Sequence, residues 1–293
     1  MVKQMRSVGL GYRALLAAVA AVLCLPAAAL AHTGDFAKFN QCPSKTAGVE
    51  HCLTSVTNSG EIVLGKKKTP IEHAVTLQGG YGEENETTHI MPFYGASNGE
   101  TLSKTPQEVP GGLLGIVPPE ESPALVKALS KFFFQNSITG VNATLELAKP
   151  ATEIQLSDFN LELESGVALK LPVKVHLENL FLGSKCFVGS SSSPLIWNLT
   201  TGTTSPPEPN TPITGSSGLA EFKDEFRIAE LKENILVENA WAAPAAEGCG
   251  GILSFLVDPV IDTMIGLPAT AGHNTAKLNN TIWTATATAV NNH

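Results

Sequence analysis

Apolar and polar residues alternate along the middle of the chain. The pattern is most regular over residues 141–147, 159–164 and 167–177, where every second residue is Val, Ala, Leu or Phe. Successive side chains of a β-strand point to opposite faces of the sheet, so the pattern predicts antiparallel strands with one buried face. The Ser-Gly pair at 165–166 predicts a hairpin between the second and third stretches. Pro172 has no N–H to donate, which predicts that its strand lies at a sheet edge or is bulged.

The composition favours the same fold class. The chain has 26 Gly and 19 Pro, which suit short strands joined by turns, and only 16% charged residues, which is low for the surface of a helical protein. We therefore expect a mainly β fold, an antiparallel sandwich or barrel-like arrangement with two packed apolar helices and disulfides. Residues 32–293 are expected to form a single β-rich extracellular domain, with a candidate internal boundary near residues 105–120.

Two segments have the spacing of helices. Pro123 suits a first helical position, and the residues after it form an apolar face through Leu125, Val126, Leu129, Phe132 and Phe133. We expect this face to pack in the core; a membrane-facing or ligand-facing role is the alternative. Residues 252–265 are predicted to form a buried helix that Pro259 kinks and Gly266 ends.

Residues 1–31 are predicted to be a signal peptide. Positive charges precede an apolar run at 14–25, and Ala-Leu-Ala at 29–31 fits a signal-peptidase site. The mature protein is therefore expected outside the cytoplasm, secreted or in the cell envelope; an uncleaved anchor is the alternative. No later segment is long and apolar enough to span a bilayer, so no integral membrane span is expected after cleavage.

Four cysteines remain after that cleavage, Cys42, Cys52, Cys186 and Cys249. An even number in an exported chain predicts disulfides. We favour the pairs Cys42–Cys52, which closes a short loop, and Cys186–Cys249, whose loop of about 60 residues stabilises the fold by about 4 kcal/mol. Other connectivities remain open. A zinc site that includes His51 is the rival interpretation, although no close Cys-x-x-Cys pair is present.

The net charge of the protein limits the classes of partner that it is expected to bind. Removal of residues 1–31 removes three positive charges and no negative ones, which changes the formal charge from −8 to −11 and leaves Arg227 as the one arginine. Nucleic-acid binding is therefore not expected, and charge-driven binding to an anionic membrane surface is disfavoured for the same reason, because phosphate recognition relies on basic patches. The cluster at 66–68, three lysines, is predicted to be a solvated turn. No cofactor is expected, and the sequence leaves any ligand or protein partner unknown.

The sequence contains none of the common catalytic motifs Gly-x-Ser-x-Gly, His-Glu-x-x-His or a phosphate-binding loop. Glu162 and Glu164 are candidates for a hydrolytic carboxylate pair, although both are predicted on the polar face of a strand. His73 is predicted to face the core and His176 the solvent. We therefore expect a non-enzymatic protein that acts by binding, with an apolar ligand as one option, or by structure. A secreted hydrolase is the alternative.

Three short segments resemble a group of exported actinobacterial proteins. They are Val-Pro-Gly-Gly-Leu-Leu-Gly at 109–115, Leu-Thr-Thr-Gly-Thr-Thr at 199–204 and Gly-Cys-Gly at 248–250. The resemblance extends over most of the mature chain. It implies export and a shared fold, and it brings neither an activity nor catalytic residues.

Overall fold

Antiparallel strands form most of the protein. The structure is a computed structural model that describes residues 31–136 and 138–293; apart from Ala31, the predicted signal peptide lies outside the described residues. The strands are β1 His51–Leu64, β2 Lys67–Pro70, β3 Val75–Tyr81, β4 Met91–Gly95, β5 Pro106–Glu108, β6 Asn142–Leu147, β7 Gln155–Leu156, β8 Leu169–Glu178, β9 Phe187–Val188, β10 Leu195–Leu199, β11 Leu219–Lys223, β12 Ile228–Glu238, β13 Ala246–Glu247 and β14 Thr275–Thr286. The helices are α1 Ala124–Phe134, α2 Asp158–Glu162, α3 Ser254–Ile265 and α4 Ala287–Asn291.

The strands form two layers that share a core. The sheet runs in the order β11-β12-β14-β1-β3-β4-β7-β8-β6-β5, and β4 joins the layers because it pairs with β3 on one side and β7 on the other. Leu53 and Leu278 of the first layer and Leu171 and Trp197 of the second belong to one buried cluster. Within the described residues the sheet is not closed. The prediction of a mainly β antiparallel fold is confirmed.

Strand β8 lies inside its layer, so the edge position predicted from Pro172 is wrong. On one side β8 pairs with β10, where Pro172 faces Ile196. On the other side its partner changes along its length, from β6, which reaches Val173, to β7, which begins opposite Lys170. The Pro172 carbonyl accepts from Ala148 N–H at 3.0 Å just beyond the end of β6. The missing N–H therefore falls at the gap between two partner strands, where no acceptor is required.

Residues 159–162 belong to helix α2 and residues 163–164 to the turn after it, so this stretch is not the predicted strand, and no hairpin forms at 165–166. Ser157 begins α2, because its hydroxyl accepts a hydrogen bond from Asn160 N–H at 3.2 Å. This cap satisfies a backbone N–H that the first helical turn leaves without an intrahelical partner. Of the apolar side chains in this stretch, Leu161 is buried whereas Phe159 is exposed. The alternation therefore did not correspond to a buried sheet face.

The two longer helices are present, but most of their apolar side chains are exposed and do not pack in the core as predicted. All residues of α1 are described, and none of them is buried. Helix α3 buries Ile261 and Ile265, while Phe255 and Val260 are exposed, so the prediction of a fully buried helix is also wrong. Gly266 ends α3 in the left-handed conformation, at φ 83°, as predicted.

Both favoured disulfides are present. Cys42–Cys52 ties the segment before β1 to that strand, and Cys186–Cys249 joins the start of β9 to the segment before α3. Both cysteines near His51 are thus bonded to each other, which removes the thiolates that a zinc site would need. Residues 32–293 form one compact unit.

Candidate functional site

Three cavities lie in a row between the two layers. The first and the middle cavity share Ile71, Val75 and Leu145 in their walls. The middle and the third cavity share Leu77 and Leu236, among others. Their volumes are about 80, 30 and 350 Å³. The three cavities therefore form a row whose shared walls are mostly aliphatic.

The first cavity lies beneath α3. Ile261 and Ile265 cover it, and its walls are aliphatic side chains of β1, β6 and β8. Among its few polar groups, Gln107 is already bonded, because its Oε1 accepts from His73 N–H at 3.0 Å and its Nε2 donates to the His73 carbonyl at 2.7 Å. Lys67 is the cation in the wall, and burial lowers the pKa of its ammonium group. This cavity suits an apolar group with its polar end near Lys67.

The third cavity combines an aliphatic wall with two carboxylates. Its apolar surface comes from Leu53, Leu156, Ile282 and their neighbours on β11 and β12. Asp158 and Glu162 also line it, because residues four apart share one face of helix α2. The Ser157 cap fixes the start of this helix and therefore the direction of both carboxylates.

Asp158 has an unusual protonation equilibrium. Burial, and then the negative charges of Glu162 and Glu84, raise the pKa of Asp158 to about 6. Burial and the charge of Asp158 also raise the pKa of the nearby Tyr81 hydroxyl, which hydrogen-bonds the Thr284 side chain. At mildly acidic pH, Asp158 is thus a neutral hydrogen-bonding group inside a largely apolar cavity.

The structure separates the predicted carboxylate pair. Glu164 lies outside the cavity wall, and its Oε1 accepts from the N–H and the hydroxyl of Ser217 at 2.8 and 2.9 Å. Glu162 is instead paired in space with Asp158. Sequence reasoning missed Asp158; the signal that could have found it was Ser157 as a helix cap, which would have placed Asp158 and Glu162 one turn apart.

The two singled-out histidines also differ from expectation. His73 is exposed and not in the core, because β3 begins only at Val75 and the preceding residues are held by Gln107. His176 was predicted to face solvent, but its ring is largely covered by Phe187, with ring centroids 4.4 Å apart. Its Nδ1 lies 3.7 Å from Glu146 on the outer face of the second layer. Neither histidine reaches the cavities.

Comparison with protein-family models, with curated proteins and with solved structures finds no match to this chain. Among the described residues, no helix is both long and apolar enough to cross a membrane.

Proposed function

We propose that this protein binds an apolar ligand, such as a single acyl chain, between its two layers. The observation that carries the proposal is the row of cavities with shared aliphatic walls. Most of the surface of these cavities is apolar, and apolar cavities accept apolar molecules. Lys67 would hold an anionic head group at the first cavity.

We also propose that the protein acts outside the cytoplasm, in the envelope or the medium, as its resemblance to exported actinobacterial proteins implies. Two disulfides are compatible with that location, because they persist in oxidising compartments. Intact mass measurement of the protein from the medium of its own host tests this. A mass that begins at His32 is expected, whereas full-length protein confined to the cell fraction would contradict export.

Quenching by a brominated fatty acid tests the binding proposal. The buried Trp197 lines the middle cavity, so dibromostearate bound in the interior is expected to quench its fluorescence. The buried Trp241 lies 5.7 Å from Trp197 between ring centroids, so the double variant Trp197→Phe/Trp241→Phe is needed to remove most of this quenching. Quenching that persists when Trp283 is the remaining tryptophan would place the probe near Trp283 and would count against an interior site.

A cavity-filling variant provides the second arm of the test. Ala143→Phe places a ring in the first cavity, and we expect at least tenfold weaker palmitate binding by calorimetry. Ala74→Phe is the matched control, because Ala74 is exposed and its variant should bind as the native protein does. Circular dichroism verifies that both variants are folded. Equal affinity of the filled variant and the native protein would overturn the proposal.

One observation favours a second candidate, a hydrolase that uses Asp158 and Glu162. A carboxyl group with a pKa of about 6 beside another carboxylate can act as a general acid near neutral pH. Hydrolysis of nitrophenyl glycosides and esters, with Asp158→Asn as the inactive variant, tests this candidate. Absence of turnover on both substrate classes would leave the binding proposal alone.

A further inference from the structure

Large apolar side chains are exposed together at the end of the sandwich that holds the first cavity. They belong to residues 114–117, α1, residues 180–181, residues 252–253 and α3, and we call this surface the apolar end. Phe132 of α1 is 72% exposed, Phe255 of α3 is 70% exposed and Ile252 is 95% exposed. Contiguous apolar surface of this kind is rare on a monomer and marks an interaction site.

Hydrogen bonds connect these segments into one surface. Leu113 N–H donates at 2.6 Å to a carbonyl of residues 138–140, the segment that follows α1. The Asn179 side-chain amide donates to the Gly140 carbonyl of the same segment at 2.6 Å, so the exposed residues 180–181 lie beside that segment. Gly250 N–H then donates to the Leu182 carbonyl at 2.7 Å, next to the start of α3. The apolar end is therefore contiguous.

Helix α3 turns its acidic side chains toward the protein and uncharged side chains toward the outside, unlike a typical helix on a water-exposed surface. Its two acidic residues point inward, where Asp258 accepts from Cys249 N–H at 2.8 Å and Asp262 accepts from Ala246 N–H at 2.8 Å. Its outer face consists of uncharged residues, Phe255, Leu256, Pro259, Val260 and Thr263. Amphipathic helices in aqueous proteins turn their charges outward, so this face is suited to an apolar environment.

Positive charge borders the apolar end. Helix α1 contains Lys127 and Lys131 opposite its apolar face and no acidic residue, although the glutamates at 120–121 precede it. Lys131 lies 3.5 Å from Glu108. The backbone of Lys66 donates to the last turn of α3, which places its side chain at the same end. Lysine stems can lie along apolar surface while the ammonium groups reach lipid phosphates.

A second exposed apolar cluster provides a contrast. Leu219 and Phe226, with the intervening Phe222, are exposed at the β11–β12 hairpin. This hairpin carries acidic and basic residues together, and its cations are paired: Lys232 lies 2.7 Å from Glu221 and Arg227 lies 2.9 Å from Asp224. It therefore presents exposed apolar side chains without a one-sided border of lysines, and it serves as a control.

We propose that the apolar end docks on the surface of a bilayer that contains anionic lipids. The phenylalanines and aliphatic residues of α1 and α3 enter the interfacial layer, and the bordering lysines meet the phosphates. The first cavity, covered by α3 and the loop at 112–113, then faces the membrane. This docking goes beyond the proposed ligand binding and does not depend on it.

Co-sedimentation with vesicles tests the proposal. The native protein is expected to bind vesicles of equal parts phosphatidylcholine and phosphatidylglycerol. The double variant Phe132→Ser/Phe255→Ser should partition at least tenfold less, because two large apolar groups no longer enter the interface. The matched control, Leu219→Ser/Phe226→Ser, should bind like the native protein. All four positions are exposed, so folding is expected to be retained.

The lysines are tested separately. Lys66→Gln/Lys127→Gln should weaken binding to the anionic vesicles about fivefold or more, and binding to pure phosphatidylcholine should change little. Three results would overturn docking on lipid: no binding of the native protein, equal loss in the control variant, or a dimer in sedimentation velocity that Phe132→Ser/Phe255→Ser dissociates. The last result would assign the apolar end to a second copy of the chain.

Discussion

At the scale of single residues, Asp158 is a carboxyl group whose surroundings raise its pKa to about 6. It is held at the start of α2 by the Ser157 cap and faces an aliphatic cavity wall. The nearby Tyr81 is buried and stacks on His51, with ring centroids 5.0 Å apart. A carboxylate in such surroundings loses hydration that nothing fully replaces, so its charge opposes folding.

We predict that Asp158→Asn stabilises the protein at neutral pH. The folded-state pKa of Asp158, about 6, lies above the unfolded value, so the folded state binds more protons between them. The contribution of this group to stability is complete below about pH 4 and is lost as the pH rises through 6. Urea unfolding at about pH 7.5 should give a free energy about 1 to 2 kcal/mol higher for the variant.

The same comparison at about pH 4 should show a much smaller difference, because Asp158 is then protonated in the folded state. Glu121→Gln, at an exposed position, is the control and should show no such pH-dependent gain. A native protein whose stability rises between pH 4 and 6 more than that of Asp158→Asn would contradict the assigned pKa direction.

At the scale of elements, the sequence patterns predicted the type of an element, helix or strand, better than they predicted which of its faces is buried. Strands β6 and β8 followed from alternation because one face of each is buried. Helix α1 followed from its spacing, but that spacing is the same whether the apolar face meets a core or a membrane. Helix α2 was missed because a local hydrogen bond from Asn160 N–H to the Ser157 hydroxyl prevailed over an alternating pattern. The cavities depend on contacts between distant strands, which no local pattern contains.

We predict that the amides of α1 exchange with deuterium much faster than those of β1 and β14. The helix buries no side chain over residues 124–134, so its opening exposes little apolar surface. The two strands pair with each other over most of their length in the interior of the first layer. Exchange mass spectrometry with peptide resolution measures this. Protection of α1 equal to that of β14 in dilute monomer would contradict the prediction.

The two disulfides should differ in their effect on stability. Cys186–Cys249 closes a loop with a sequence separation of 63, and Cys42–Cys52 one of 10. In the chain-entropy model, their removal costs about 4 and about 3 kcal/mol respectively. Denaturant unfolding of the paired alanine variants, Cys186→Ala/Cys249→Ala and Cys42→Ala/Cys52→Ala, measures both values. A larger loss for the shorter loop would show that native contacts dominate.

At the scale of the whole molecule, the two layers meet imperfectly and leave the row of cavities in the core. Unfilled interior volume is removed on unfolding, so pressure favours the unfolded state of such a protein. We predict that Ala143→Phe raises the midpoint pressure of unfolding, and that bound palmitate raises it further in the native protein. Tryptophan fluorescence under pressure measures the transition. An unchanged midpoint in both cases would indicate that the cavities do not persist in solution.

The pairing of β1 with β14 has a consequence for the order in which the protein can be made. His51 of β1 faces Thr286 of β14, and Ser44 Oγ is hydrogen-bonded to Asn291 at 2.8 Å. The ribosome therefore synthesises the first strand long before its neighbour exists. Until then one side of β1 is without its partner, and the first layer cannot assemble. Completion of the fold must follow synthesis of residue 286, so the chain stays incompletely folded through most of its translation.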